Sequence, residues 1–313
     1  MAGAGQVISA RKFTRMSPRA KAESVPEGGP EVLLVDNGSL EAGAVRGLRV
    51  LAERLGAATG RVVRPVSLLH SSAIAPESLD GRKAEILEPV LRELAAAGHP
   101  ALVVPLFLGP SGALTEYLPE RVRHLRKTWP GLRVRLAPCL VDLARPEDTR
   151  VAAMLVERAR AAGEAAGFAR PAVAVADHGT PQRAVNAVRE LVAAQARALL
   201  GDWARTVTGC SMERRAGPEY DFNEPLLERL LDAPNFATPP GEVVVAQLFL
   251  LPGRHAGPGG DVERICAAAK KKHPGMTVAV TEPLGSHPRL VEVLAERVAG
   301  ALSPGREMRA TEI

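Results

Sequence analysis

Three observations predict an α/β chain with parallel strands. Short apolar runs alternate with amphipathic segments from Glu31 onward. The runs are nearly continuous in Val, Leu and Ala, as strands covered on both faces require. The whole alternation then repeats after about 140 residues, a period long enough for one compact α/β unit.

Taken in order, the strands fall at 31–36, 61–68, 101–107, 132–138, 172–177, 204–210, 242–250 and 276–281. Helical stretches between them include Gly43–Leu55, Glu116–Lys127 and Pro288–Val298. The last strand of each half is preceded by a Pro-Gly turn, at Pro130-Gly131 and Pro274-Gly275, where glycine relieves backbone strain. VLLVDNGS (Val32–Ser39) matches VAVADHGT (Val173–Thr180), and VVPLFLGPSGA (Val103–Ala113) matches VAQLFLLPGRH (Val245–His255). WPGLRVRLAPCL (Trp129–Leu140) matches HPGMTVAVTEPL (His273–Leu284) in the same order. Two copies of a four-step βα unit follow, as one closed eight-stranded barrel or as two open sheets. The expected organisation is a tail over 1–30, a first unit over 31–141, a helical join over 142–168, a second unit over 169–303 and a short tail over 304–313.

Composition narrows the function. The chain has 313 residues, 46% hydrophobic and 24% charged, enough to bury one large core or two ordinary ones. Six Phe, two Trp and two Tyr leave little for base stacking. The formal charge is +5, but the first thirty residues carry five basic against two acidic side chains and so hold +3 of it. A nearly balanced body gives no case for nucleic acid as partner. No apolar stretch has membrane-spanning or signal-peptide length, so the expectation is no membrane partner and a cytoplasmic protein. The basic N-terminal extension also suits an organelle transit peptide. Cys139, Cys210 and Cys266 lack CxxC spacing, which argues against both a disulfide framework and a structural zinc site.

The two copies differ at their strand ends, where open α/β sheets bind ligands. Asn37 stands opposite His178, Ala113 opposite His255, and a constant offset of 142 pairs Ser71 with Glu213. Two imidazoles and a carboxylate at one sheet edge suit a borderline divalent metal, and they equally suit proton transfer near neutral pH. His70, His99, His124 and His273 are expected to be solvated or packed. His287, in the turn before the last helix, could reach the cleft or simply start that helix. AGPGGD (Ala256–Asp261) lets backbone approach a flat ligand, but it has neither P-loop nor GxGxxG spacing.

DHGT at 177–180, LFLLPGRHAGPGGDV at 248–262 and TEPLGSHPRLVEVLAERV at 281–298 resemble the signature stretches of the CbiX/SirB family of sirohydrochlorin chelatases, the class II tetrapyrrole chelatases. VDNGS and PLFLGPSGALTEYLPERV give the first half the same pattern. The resemblance implies two flavodoxin-like lobes, each with a four-stranded parallel sheet, facing each other over a cleft. It implies a lyase that inserts Co²⁺ or Fe²⁺, as co-substrate, into sirohydrochlorin without ATP or an organic cofactor, for cobalamin or siroheme. It implies that His178 and His255 hold the metal and take up pyrrole protons. Glu213 assists, with Glu219 and Glu224 as neighbouring alternatives.

A substrate rich in carboxylates calls for cations at the rim, and Arg214, Arg215 and Arg254 are the expected anchors, with Arg183 a weaker one. One complete site per chain is expected, with the first half as a substrate wall. A two-lobed chain can close its own cleft as a monomer with pseudo-twofold symmetry. A non-catalytic tetrapyrrole or metal carrier is the alternative function. A histidine phosphotransfer enzyme fits poorly, because Asp177 precedes His178 where such enzymes place arginine.

Overall fold

The computed structural model describes residues 29–237, 241–303 and 311–313. The basic extension over 1–28 and residues 304–310 of the expected C-terminal tail lie outside the described residues. The first half runs β1 (Glu31–Asp36), α1 (Ala42–Thr59), β2 (Val63–Ser67), α2 (Leu87–Ala97), β3 (Ala101–Pro105), α3 (Leu118–Arg126), β4 (Val134–Leu136) and α4 (Arg150–Ala165). The second repeats it as β5 (Ala172–Asp177), α5 (Arg183–Leu200), β6 (Thr206–Ser211), α6 (Leu227–Asp232), β7 (Glu242–Gln247), α7 (Asp261–Lys272), β8 (Thr277–Val280) and α8 (Pro288–Leu302).

Two open sheets form, not one barrel. Their strand orders are β2-β1-β3-β4 and β6-β5-β7-β8, all parallel within each set of four. One correction applies to the expected four strands per sheet. The first sheet gains a fifth, antiparallel strand, β9 (Thr311–Glu312), on the edge of β4. In both sheets the order reverses between the first and third strands of the unit, which opens a crevice beyond their carboxyl ends. The inner strands β1, β3, β5 and β7 are almost wholly buried, which is why they read as nearly uninterrupted apolar runs.

The fourth helices cross between the halves. α4 follows β4 of the first sheet but packs on α5 and on β7 and β8 of the second. α8 follows β8 yet packs on α1 and on β3. A single core therefore runs between the lobes, combining Leu48, Leu51 and Leu55 of α1 with Met154, Leu155, Val188, Val192, Leu290 and Leu294. Polar staples fix the exchange. The buried Arg297 of α8 donates to the carbonyls of Cys139 and Leu140 at 3.0 Å, and Arg150 pairs with Glu296. Gly163 of α4 lets Trp203 approach, since a Cβ there would lie 2.9 Å from its ring. Among the described residues, no helix is long and apolar enough to cross a membrane.

Candidate functional site

His178 follows the last residue of β5, at the strand-order reversal of the second sheet. The ladder between β5 and β6 continues past both strands: Met212 N–H donates to Asp177 O at 2.8 Å and Glu213 N–H to His178 O at 3.1 Å. This continuation sets Glu213 beside His178, with Glu213 Oε1 3.3 Å from His178 Nε2. Only glycine can occupy position 179 between them. Its φ is +94°, and a Cβ would lie 1.8 Å from the Glu213 carbonyl oxygen.

The same backbone corrects the pairing of the two halves. Ser67 faces Asp36 in the register of β1 and β2 as Ser211 faces Asp177 in that of β5 and β6. Leu69 N–H donates to Asn37 O as Glu213 N–H does to His178 O. The counterpart of Glu213 is therefore Leu69, not Ser71, because chain length between the first two strands differs in the two units.

His255 stands in the irregular loop that joins β7 to α7. Its Nδ1 lies 2.6 Å from Asp261 Oδ2, at the first residue of α7, and the N–H groups of Asp261 and Val262 donate to the Arg254 and His255 carbonyls. The hydrogen bond to His255, and after it the ion pair with Arg264, hold the Asp261 carboxyl below the usual carboxylate range. The His178 and His255 rings meet edge to face, with centroids 4.6 Å apart.

Hydrogen-bond partners assign the tautomers. Nδ1 of His178 lies 3.1 Å from Gly179 O, a pure acceptor, so Nδ1 carries hydrogen. Its Nε2 lone pair then faces Glu213. A cation placed between them would be shared by the imidazole nitrogen and the carboxylate oxygen. Asp261 likewise holds Nδ1–H of His255 and leaves Nε2 as the acceptor. Among the described residues, no group of three or more His, Cys, Asp or Glu side chains closes into a metal cage.

A buried network supports the His178 loop. Arg189 of α5, 1% exposed, donates to Ser211 Oγ at 2.6 Å and to Asn223 O at 3.1 Å, and lies 3.9 Å from Asp177. Asp177 accepts from Ser211 Oγ and from Gly179 N–H; burial pushes its carboxyl up, against those bonds and the nearby arginine. Asn223 clamps Thr180 through both its amide atoms at 2.9 Å. Sequence reasoning missed Asp261, Arg189 and Asn223. Asp261 carried one signal, an acidic residue six positions after a candidate ligand at the start of a helix.

The two imidazoles open on a cleft of about 410 Å³ between the lobes. Asp36, Asn37, Gly38, Ser39 and Leu106 line its N-terminal wall, and His178, Phe249–Ala256 its C-terminal wall. Arg254 lines the cleft with its side chain 77% exposed. Arg214 does not stand as a free anchor: Glu224 at 2.8 Å, Asp221 at 3.0 Å and the Gly217 carbonyl occupy its guanidinium. Arg215 lies over Tyr220 and Arg183 over Phe222, outside the cleft lining. Glu224 is held by Arg214 and Arg229, and Glu219 lies against Gly217, so of the three glutamates Glu213 is the one beside His178. His287 caps α8, accepting from Arg289 N–H, and faces Glu157 at 3.2 Å.

Residues 172–301 match the CbiX family. That match takes in most of the C-terminal half. Beyond that half, the likeness in fold takes in both lobes. SirB from Bacillus subtilis, solved with Fe³⁺, superposes with a TM-score of 0.63 at 17% identity, covering 88% of this chain and 96% of its own. SirB from Bacillus subtilis subspecies spizizenii, a sirohydrochlorin chelatase solved with cobalt, gives 0.62 at 16% identity, over 87% and 95%. A chloroplastic sirohydrochlorin ferrochelatase from Arabidopsis thaliana is 39% identical over 61 residues, which is 20% of this chain and 26% of that protein. The match thus spans about a quarter of the curated relative.

Proposed function

We propose that this CbiX-family chain inserts a divalent metal into a sirohydrochlorin-type tetrapyrrole, without ATP and without an organic cofactor. The observation that carries the reading is the pair of imidazole Nε2 acceptors, one facing the Glu213 carboxylate at 3.3 Å, on one wall of an interlobe cleft. His178 and His255 hold the ion through Nε2, and Glu213 supplies an oxygen donor. Such a partial donor set suits an ion that must be handed on, whereas a closed cage would retain it. Gly179 O and Asp261 fix the two ring orientations. Arg254 receives a substrate carboxylate at the rim, where guanidinium binds it in two-point fashion.

In the net reaction two pyrrole N–H bonds break, their nitrogen lone pairs bind the metal, and two protons leave. As the ion passes to the ring, a freed Nε2 accepts a proton. Both Fe²⁺ and Co²⁺ accept imidazole and carboxylate donors, and relatives are solved with iron or with cobalt, so we propose both ions as substrates. With both walls on one chain, the working unit is a monomer. The free thiols of Cys139, Cys210 and Cys266 fit a reducing compartment such as the cytoplasm.

The test is optical. Purified protein mixed with sirohydrochlorin and Co²⁺ or Fe²⁺ should accelerate the absorbance change of metallation over the uncatalysed rate. Macrocycle binding without acceleration would replace the enzyme with a carrier.

A further inference from the structure

This inference rests on the metal-insertion reading and concerns a group that reading leaves unused. While an ion sits on His178 and His255, neither imidazole can act as base. Each Nε2 lone pair is spent on the metal, and each Nδ1 carries its hydrogen to Gly179 O or Asp261. The first pyrrole proton therefore needs a different acceptor. Metal held on one wall also leaves the opposite face of a flat ring turned toward the N-terminal lobe.

Asp36 lines that wall, in the same cleft as both histidines. Its counterpart Asp177 makes the same turn contact, accepting the N–H of Gly179 as Asp36 accepts that of Gly38, both at 3.1 Å. The two carboxylates differ in surroundings. Asp177 has Arg189 at 3.9 Å and does not line the cleft, whereas α1 places Leu48 at the position of Arg189. We propose that Asp36 accepts the first pyrrole proton from the face of the macrocycle opposite the metal. The N–H bond breaks, the proton moves to a carboxylate oxygen, the nitrogen lone pair binds the metal, and the carboxylic acid then loses its proton to water at the cleft mouth.

Burial pushes the Asp36 carboxyl up to about 6, against hydrogen bonds from Ser67 and Gly38, into the range where a base works near neutral pH. The charged and titratable groups sharing its cavity are His178, Arg254 and His255; behind it β2 offers Ser67 and α1 the apolar Ala44 and Leu48.

The test is Asp36→Asn in the full chain, which keeps the oxygen that accepts from Gly38. Single-turnover metallation of sirohydrochlorin by Co²⁺ should slow on the order of 10²-fold. Macrocycle affinity without metal should stay within about twofold. The rise of the wild-type rate through pH 6 should lose the part due to Asp36. Ser67→Ala, which removes a donor to the carboxylate, should move that limb to higher pH. A wild-type rate and pH profile in Asp36→Asn, or an unmoved limb in Ser67→Ala, overturns the proposal. If wild-type protein fails to metallate, the underlying reading falls and Asp36 falls with it; if only the variants match wild type, Asp36 alone falls.

Discussion

The two lobes share a strand order and a turn chemistry, yet only one carries imidazoles that line the cleft beyond its strand ends. In the first lobe Asn37, Leu69 and Ala113 occupy the three positions, and Ala113–Tyr117 winds as a π-helical turn straight into α3. In the second, His178, Glu213 and His255 stand there, and the loop before α7 stays open, with Gly257 and Gly259 at positive φ. The contact surface diverges reciprocally. Val188 of α5 sits where α1 has Gly47, and Leu251 sits where the first lobe has Gly109. Each large side chain meets the other lobe's glycine: a Cβ on Gly47 would lie 3.1 Å from Leu251 Cδ2, and one on Gly109 2.6 Å from Val188 Cγ2. Duplication within one chain lets the walls of a cleft diverge, one carrying two imidazoles and a carboxylate, the other Asn37, Leu69 and Ala113.

The comparison breaks first at the histidines. The His178→Ala/His255→Ala pair should lower metallation on the order of 10³-fold in the absorbance assay, while Asn37→Ala leaves the proposed metal-holding wall intact and should cost far less.

The two buried aspartates sharpen it next. The Asp36 carboxyl titrates at about 6 in the folded chain against an ordinary 3.8, so ionising it costs the fold about 3 kcal/mol above pH 6. Below the ordinary value both states are protonated and the cost vanishes. Urea unfolding should show Asp36→Asn gaining up to that much stability over wild type at pH 8 and losing most of the gain by pH 4. The gain should be smaller for Asp177→Asn, whose carboxylate faces Arg189.

Asp261 comes third. Asp261→Ala frees the His255 ring and should weaken Co²⁺ binding about 10- to 100-fold by optical titration, the scale at which outer partners of metal-binding histidines act. The interlobe packing comes last, because it leaves the histidines in place. Gly109→Ala should cost about 1–3 kcal/mol in thermal unfolding, and Val188→Ala in the same chain should recover part of it.

Most of the sheet architecture is legible in the sequence because parallel strands buried on both faces leave continuous apolar runs, as Val32–Val35 and Val243–Ala246 do. His178 is legible because a strand end fixes where it must lie, and His255 because the loop after β7 returns to the same sheet edge. Register between the halves is less so. The halves are related by 141 residues at β1 and β5 but by 144 at β2 and β6, and a constant offset therefore picks Ser71 where the backbone places Leu69. The crossing of α4 and α8 leaves no sequence mark, since each helix still follows its own strand and is amphipathic in either position. Asp261, Arg189 and Asn223 act through side-chain contacts between distant segments, which spacing does not encode. A two-residue strand such as β9 is too short for any periodicity.

The central claim is that a chain with two like lobes holds one metal position, built wholly on its C-terminal wall. Titration of the full chain with Co²⁺, followed through its visible absorption bands, tests this most directly. The account predicts one ion per chain, lost in the His178→Ala/His255→Ala pair. Two equivalent ions per chain, or one ion bound unchanged without those histidines, would contradict it.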